Sequence, residues 1–223
     1  MTGMIIAAAG TALILLLGEY LWRKRILKGE YARKFIHILA ATFAACWPYF
    51  ISRSYIVLLS LIFVAALVIV KKLGLFKSLH SVKRVTYGEV WYALSIGAIA
   101  LLFKDDVIYM VAVLHMALAD GLAAVVGVSL KDSAKKFIFN GLTKSIAGTL
   151  TFIVISFSLN MIYWTIASHS SLTELYISPV TYSILSSLIL AFTEIAAPKG
   201  SDNVVVPMFA GFLLWLPPIL VGL

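Results

Sequence analysis

Eight apolar runs separated by short polar stretches occupy most of the chain, near residues 4 to 21, 35 to 50, 55 to 70, 89 to 103, 107 to 130, 146 to 166, 179 to 197 and 204 to 221. The runs are continuous and mostly close to the roughly 20 residues that a helix needs to cross the hydrocarbon of a bilayer. They do not alternate between apolar and polar positions, as the strands of a membrane barrel would. The pattern predicts an all-α, polytopic transmembrane bundle of about eight spans, with residues 1–223 forming a single integral membrane domain. The second and fourth runs are the shortest.

One run departs from a plain span. His115-Met-Ala-Leu-Ala-Asp120-Gly-Leu-Ala-Ala-Val-Val-Gly127 carries a carboxylate well inside an apolar segment. A charge near the centre of a spanning helix costs roughly 2.5–3.5 kcal/mol on insertion scales, so such residues face a wet cavity, a cation or a partner helix. On a regular helix Ala124, Gly127 and Lys131 fall within about 40° of Asp120, a groove of small residues between an acid and a base. Small residues at this spacing also serve plain helix packing, but packing needs no carboxylate.

Composition narrows the class. With 62% hydrophobic and 13% charged residues, the chain lacks the polar coat of a soluble protein. The net charge of +8 does not indicate nucleic acid, because the basic residues sit in short loops between spans. There they set orientation and attract anionic head groups. All lysines and arginines except Arg53 and Lys104 fall in loops that alternate to one side. The positive-inside rule therefore predicts both termini outside and the basic loops in the cytoplasm. The first run follows no basic n-region and has no A-x-A cleavage pattern before a polar mature region, so it reads as a first anchor and not as a cleaved signal. The single Cys46 excludes an intrachain disulfide.

The unusual polar residues gather, on this topology, at the cytoplasmic ends of the spans. In Thr193-Glu194 through Ser201-Asp202-Asn203 to Pro207, Pro198 and Gly200 turn the chain, and Ser201 or Asp202 caps the next helix. A helix start attracts anions. Carboxylates at that same start suggest that a cation such as Mg²⁺ mediates, since this ion is held by one or two carboxylates together with substrate phosphates. Arg33 and His37 are four apart and share a helix face, where the guanidinium favours a neutral imidazole. Glu89 opens the fourth span beside Gly88, Trp91 and Tyr92, a position that a helix-start carboxylate in an aromatic belt also explains. Gly141-Leu-Thr-Lys144-Ser145-Ile-Ala147-Gly148-Thr149 sets a lysine, hydroxyls and glycines at a span start. It lacks the G-x-x-x-x-G-K-[ST] spacing, and no strand is expected before it, which argues against a Walker-type site. Backbone amides and Lys144 could still bind phosphates there. Arg53, Lys104, Asp105, Asp106, His169 and Glu174 read as solvated caps on the outer side.

Taken in order, Arg33-Lys34-x-x-His37, Gly88-Glu89 with its aromatics, Ala119-Asp120-Gly121 through Gly127, Lys144-Ser145-x-x-Gly148-Thr149, and Glu194 with Asp202-Asn203 and Pro207 resemble the membrane family of dolichol, phytol and CTP-dependent diacylglycerol kinases. That family is related to the phosphatidate cytidylyltransferases. Where it commonly has an acidic residue before the glycine of the lysine motif, this chain has Ala147.

The resemblance implies a membrane lipid kinase that moves the terminal phosphate of CTP onto the hydroxyl of a lipid alcohol such as a polyprenol, a phytol-like alcohol or diacylglycerol. It implies Mg²⁺ as cofactor and an active site on the cytoplasmic side. Asp120, His37 and Glu194 are the candidate catalytic residues, with Asp120 also a metal ligand beside Asp202, Asn203 and Glu89. Arg33, Lys34, Gly127, Lys131, Lys144, Ser145, Gly148 and Thr149 are the candidate nucleotide contacts. The expected partners are the lipid alcohol, the nucleotide and the membrane, with a homodimer as one arrangement and no nucleic acid. Two alternatives remain at this level, a cytidylyltransferase acting on a lipid phosphate and an ion- or proton-coupled transporter. Against transport stand the absence of an internal repeat and the pooling of polar residues at one end.

Overall fold

The computed structural model describes residues 2–73, 88–130, 135–167, 175–197 and 200–220. Lys131, Pro198, Lys199, His169 and Glu174 lie outside the described residues. The described chain is an all-helical membrane bundle. Its long helices are α1 (Thr2–Arg23), α2 (Gly29–Ala45), α3 (Arg53–Lys72), α4 (Gly88–Leu102), α5 (Asp106–Ser129), α6 (Ile146–Ile166), α7 (Pro179–Ala196) and α8 (Asp202–Leu220). Six of them are long and apolar enough to cross a membrane; α2 and α4 are shorter.

Each helix falls on one of the apolar runs, with three departures that hydropathy does not register. Helix α2 begins at Gly29, six residues ahead of the apolar run, because Glu30, Arg33 and Lys34 form a charged helical turn. Its far end stops at Ala45, and Pro48 converts Trp47–Tyr49 into a short 3₁₀ turn. In α5, His115–Asp120 is a π-helical turn between two regular stretches. Such bulges add a residue to the turn and are frequent at functional sites. The segment from Gly121 to Ser129 is regular, so Ala124 and Gly127 keep their shared face with Asp120. The third departure is a two-stranded antiparallel hairpin, β1 (Lys136–Phe139) and β2 (Leu142–Ser145), closed by Asn140 and Gly141 at positive φ. A strand therefore does precede the lysine segment, contrary to the expectation from sequence.

Helix α5 is the centre of the bundle, with Tyr109, Val111, Ala112 and Met116 wholly buried. Around it α1 packs on α2, α3 on α4, α6 on α7, and α8 on both α4 and α5. Small residues let these backbones approach: Ala32, Ala40, Ala41 and Ala44 line the buried side of α2. Large apolar side chains such as Leu13, Leu101, Leu150 and Phe192 point outward, as lipid requires. At the end carrying the α2 C-terminus, Asp105 caps α5 by accepting from Val107 and Ile108, and Arg53 pairs with Asp106.

Candidate active site

The opposite end of the bundle brings together the start of α2, the cytoplasmic half expected for α5, the hairpin, the start of α6, the end of α7 and the start of α8. These enclose a polar cavity of about 580 Å³. Its most unusual feature is a cluster of three carboxylates. Asp120 from α5, Glu194 from α7 and Asp202 from α8 place ligand oxygens within 4.8 Å of one another. Asp120 and Glu194 are buried, and like charges this close repel unless a cation lies between or beside them.

Two lysines supply part of that charge. Lys34, only 3% exposed, pairs with Asp120 Oδ2, and Lys144 donates to both the carboxylate and the backbone carbonyl of Glu194. Burial of a lysine to this degree is tolerated only where a partner is held in place. His37 stands beside the same aspartate, with Nε2 at 3.6 Å from Asp120 Oδ2. That nitrogen also lies 3.0 Å from the carbonyl of Met116. A carbonyl only accepts, so Nε2 carries the proton and Nδ1 is left as an acceptor. Tyr92 holds the imidazole from the other side, its ring 4.8 Å away and its hydroxyl donating to the His37 carbonyl.

The start of α6 forms the phosphate-sized side of the cavity. Ser145 caps the helix by accepting from the Gly148 amide, and Lys144, Gly148 and Thr149 line the space. Glycine at 148 is required by packing: a Cβ there would lie 2.9 Å from the Ala123 carbonyl oxygen of α5. At Gly127 a Cβ would meet Ser145 Oγ at the same distance. The two glycines thus let α5, the hairpin and α6 close on one another.

Of the residues singled out from sequence, Arg33, Lys34, Asp120, Gly127, Lys144, Ser145, Gly148, Thr149, Glu194 and Asp202 all line this one cavity. Glu89 and Asn203 do not. They line a second, mainly apolar cavity between α1, α2, α3 and α4, as does His37. Asn203 Nδ2 there donates to the Gly88 carbonyl, tying α8 to α4. Two charged lining residues were not anticipated, Glu30 and Lys136. Glu30 pairs with Arg33 one turn away, and the i, i+3 spacing was the available signal. Lys136 depends on the hairpin, which no apolar pattern announced.

The donor set fits a hard divalent cation. Three carboxylates on separate helices offer oxygen ligands only, the chemistry Mg²⁺ prefers, with room beside them for phosphate oxygens.

No family model matches the chain, and no solved structure matches it. Among curated proteins, it is 28% identical over 214 residues to phytol kinase of the cyanobacterium Synechocystis sp., which covers 94% of this chain and 89% of that protein. A similarity running nearly end to end, over a helical membrane bundle, supports the resemblance of this chain to the polyprenol and phytol kinase family.

Proposed function

We propose that the protein is a membrane kinase that transfers the terminal phosphate of a nucleotide, CTP by family resemblance, to the hydroxyl of a lipid alcohol. The observation that carries this reading is the meeting of Asp120, Glu194 and Asp202, with Lys34 and Lys144 against them, in one cavity at one end of the bundle. Phosphoryl transfer asks chiefly for in-line positioning and neutralised charge, which such a cluster provides. A whole-length similarity to a protein named phytol kinase supports a lipid alcohol as the acceptor.

In this reading Asp120, Glu194 and Asp202 would hold Mg²⁺, which would supply positive charge to offset that of the phosphates. Lys34 and Lys144, paired with Asp120 and Glu194 on the wall of the same cavity, would supply positive charge to the phosphates. Arg33 and the amides at the start of α6 contact the remaining phosphate oxygens. The acceptor oxygen attacks the terminal phosphorus, and the bond from that phosphorus to its bridging oxygen breaks. The hydroxyl proton passes to His37 Nδ1, and the nucleoside diphosphate leaves toward the water. The buried Asp120 steadies the imidazolium that forms, which sits 3.6 Å from its carboxylate. The positive-inside distribution supports a cytoplasmic location for this end of the bundle, where nucleotide is available.

The test is incubation of the purified protein with Mg²⁺, a panel of long-chain alcohols and nucleotides labelled at either the alpha or the terminal phosphate. Label should reach the lipid from the terminal position only. Transfer from the alpha position would mean cytidylyl transfer and would overturn the kinase reading.

A further inference from the structure

The second cavity touches the catalytic one and has a different character. It measures about 120 Å³ and is walled by apolar side chains of α1, α2, α3 and α4, including Ala40, Ala44, Phe63 and Leu67. Helices α1 and α3 make few contacts with each other, so half-buried Leu15, Phe63 and Ala66 leave its outer side toward the lipid. Along α2 it runs from Arg33 to Ala44, roughly 16 Å at the helical rise.

Its polar groups are unevenly engaged. Thr11 donates to the Ala7 carbonyl and Ser60 to that of Ala93, so the hydroxyls along the walls are consumed within the protein. At the end shared with the catalytic cavity, Asn203 is 4% exposed and its Oδ1 has no hydrogen-bond partner. The bond from Nδ2 to the Gly88 carbonyl fixes the amide, so the orphan atom is an acceptor. A buried acceptor left unpaired costs on the order of 1–3 kcal/mol, and it calls for a donor. Glu89 lines the same cavity and interacts electrostatically with Arg33. Arg33 lines both cavities, and the adjacent Asp202 and Asn203 each face a different one.

Resting on the kinase reading above, we infer that this cavity seats the hydrocarbon chain of the acceptor alcohol, with its hydroxyl donating to Asn203 Oδ1 at the boundary with the catalytic cavity. An apolar slot with acceptors at one end matches a ligand with one donor on a long apolar body. A saturated hydrocarbon would leave Asn203 unpaired. Asn203 is a positioning residue for the resting complex, and His37, on the same cavity and next to Asp120, removes the proton during transfer. The chain enters between α1 and α3, and the hydroxyl comes to rest where Arg33 and Asp202 present the phosphate.

A long-chain alcohol carrying a diazirine at mid-chain, photolysed with the wild-type protein and no nucleotide, tests this without requiring turnover. Crosslinks should map to Leu15, Phe63, Ala66 and Leu67, and excess alcohol should compete at least tenfold better than the alkane of equal length. Ala66→Phe, at a half-buried position, should lower crosslinking and raise KM for the alcohol about tenfold while leaving nucleotide affinity unchanged. Asn203→Leu should erase the preference for alcohol over alkane. Crosslinks confined to other helix faces, or equal competition by the alkane, would overturn the inference even in an active kinase. Cavity labelling with alcohol preference in a protein that transfers no phosphate would sustain it and overturn the kinase reading alone.

Discussion

At the level of single residues, the ion pair of Lys34 and Asp120 sets both stability and chemistry. Replacing Lys34 by Met leaves three carboxylates facing one another with one cation fewer, and breaking a buried pair this way costs about 3–5 kcal/mol. Asp120→Asn is milder, because Lys34 keeps the carboxylates of Glu194 and Asp202 nearby. Thermal melting in detergent should therefore show the larger fall for Lys34→Met, and added Mg²⁺ should recover part of it. A melting point unchanged by Mg²⁺ in wild type and variant alike would count against the metal assignment. Asp120→Asn should remain folded yet lose about a hundredfold or more of phosphate transfer, since it removes a charge that the proposed metal site needs. Full turnover in that variant would remove Asp120 from the mechanism.

At the level of elements, close approach decides the geometry of the site. Gly148 lets α6 lie against α5 at the level of Ala123, and Gly127 admits Ser145. Gly148→Val should push α6 outward, lowering the melting temperature and weakening nucleotide affinity together. A variant with normal affinity would show that the α6 start is not part of the nucleotide site. The hairpin contributes Lys136 and carries Lys144 to Glu194, so its short length belongs to the site and not to the core. The charged first turn of α2 similarly extends a membrane helix into the cavity, where Arg33 and Lys34 can reach phosphate and carboxylate.

For the molecule as a whole, the expected orientation can be read with its own cysteine. Cys46 is exposed and follows the end of α2 opposite to Arg33 and Lys34. A membrane-impermeant maleimide should label Cys46 from outside intact cells, while nucleotide supplied outside right-side-out vesicles should not be used. Labelling only after permeabilisation would invert the topology and place the polar cavity outside.

The apolar runs alone determined the all-helical membrane architecture, because a span of roughly 20 residues must satisfy its backbone internally and only a helix does so here. Asp120 was legible for a related reason: an isolated charge in such a run needs a partner. Which partners it has was decided by tertiary structure. Asp120 lies more than seventy residues before Glu194 and Asp202, and only the packing of α5, α7 and α8 brings the three carboxylates' oxygens within 4.8 Å. The same packing separated Asp202 from its neighbour Asn203, sending one carboxylate to the charged cavity and one amide to the apolar one. Adjacent side chains at a helix start point in directions about 100° apart, and sequence gives no account of what each will meet.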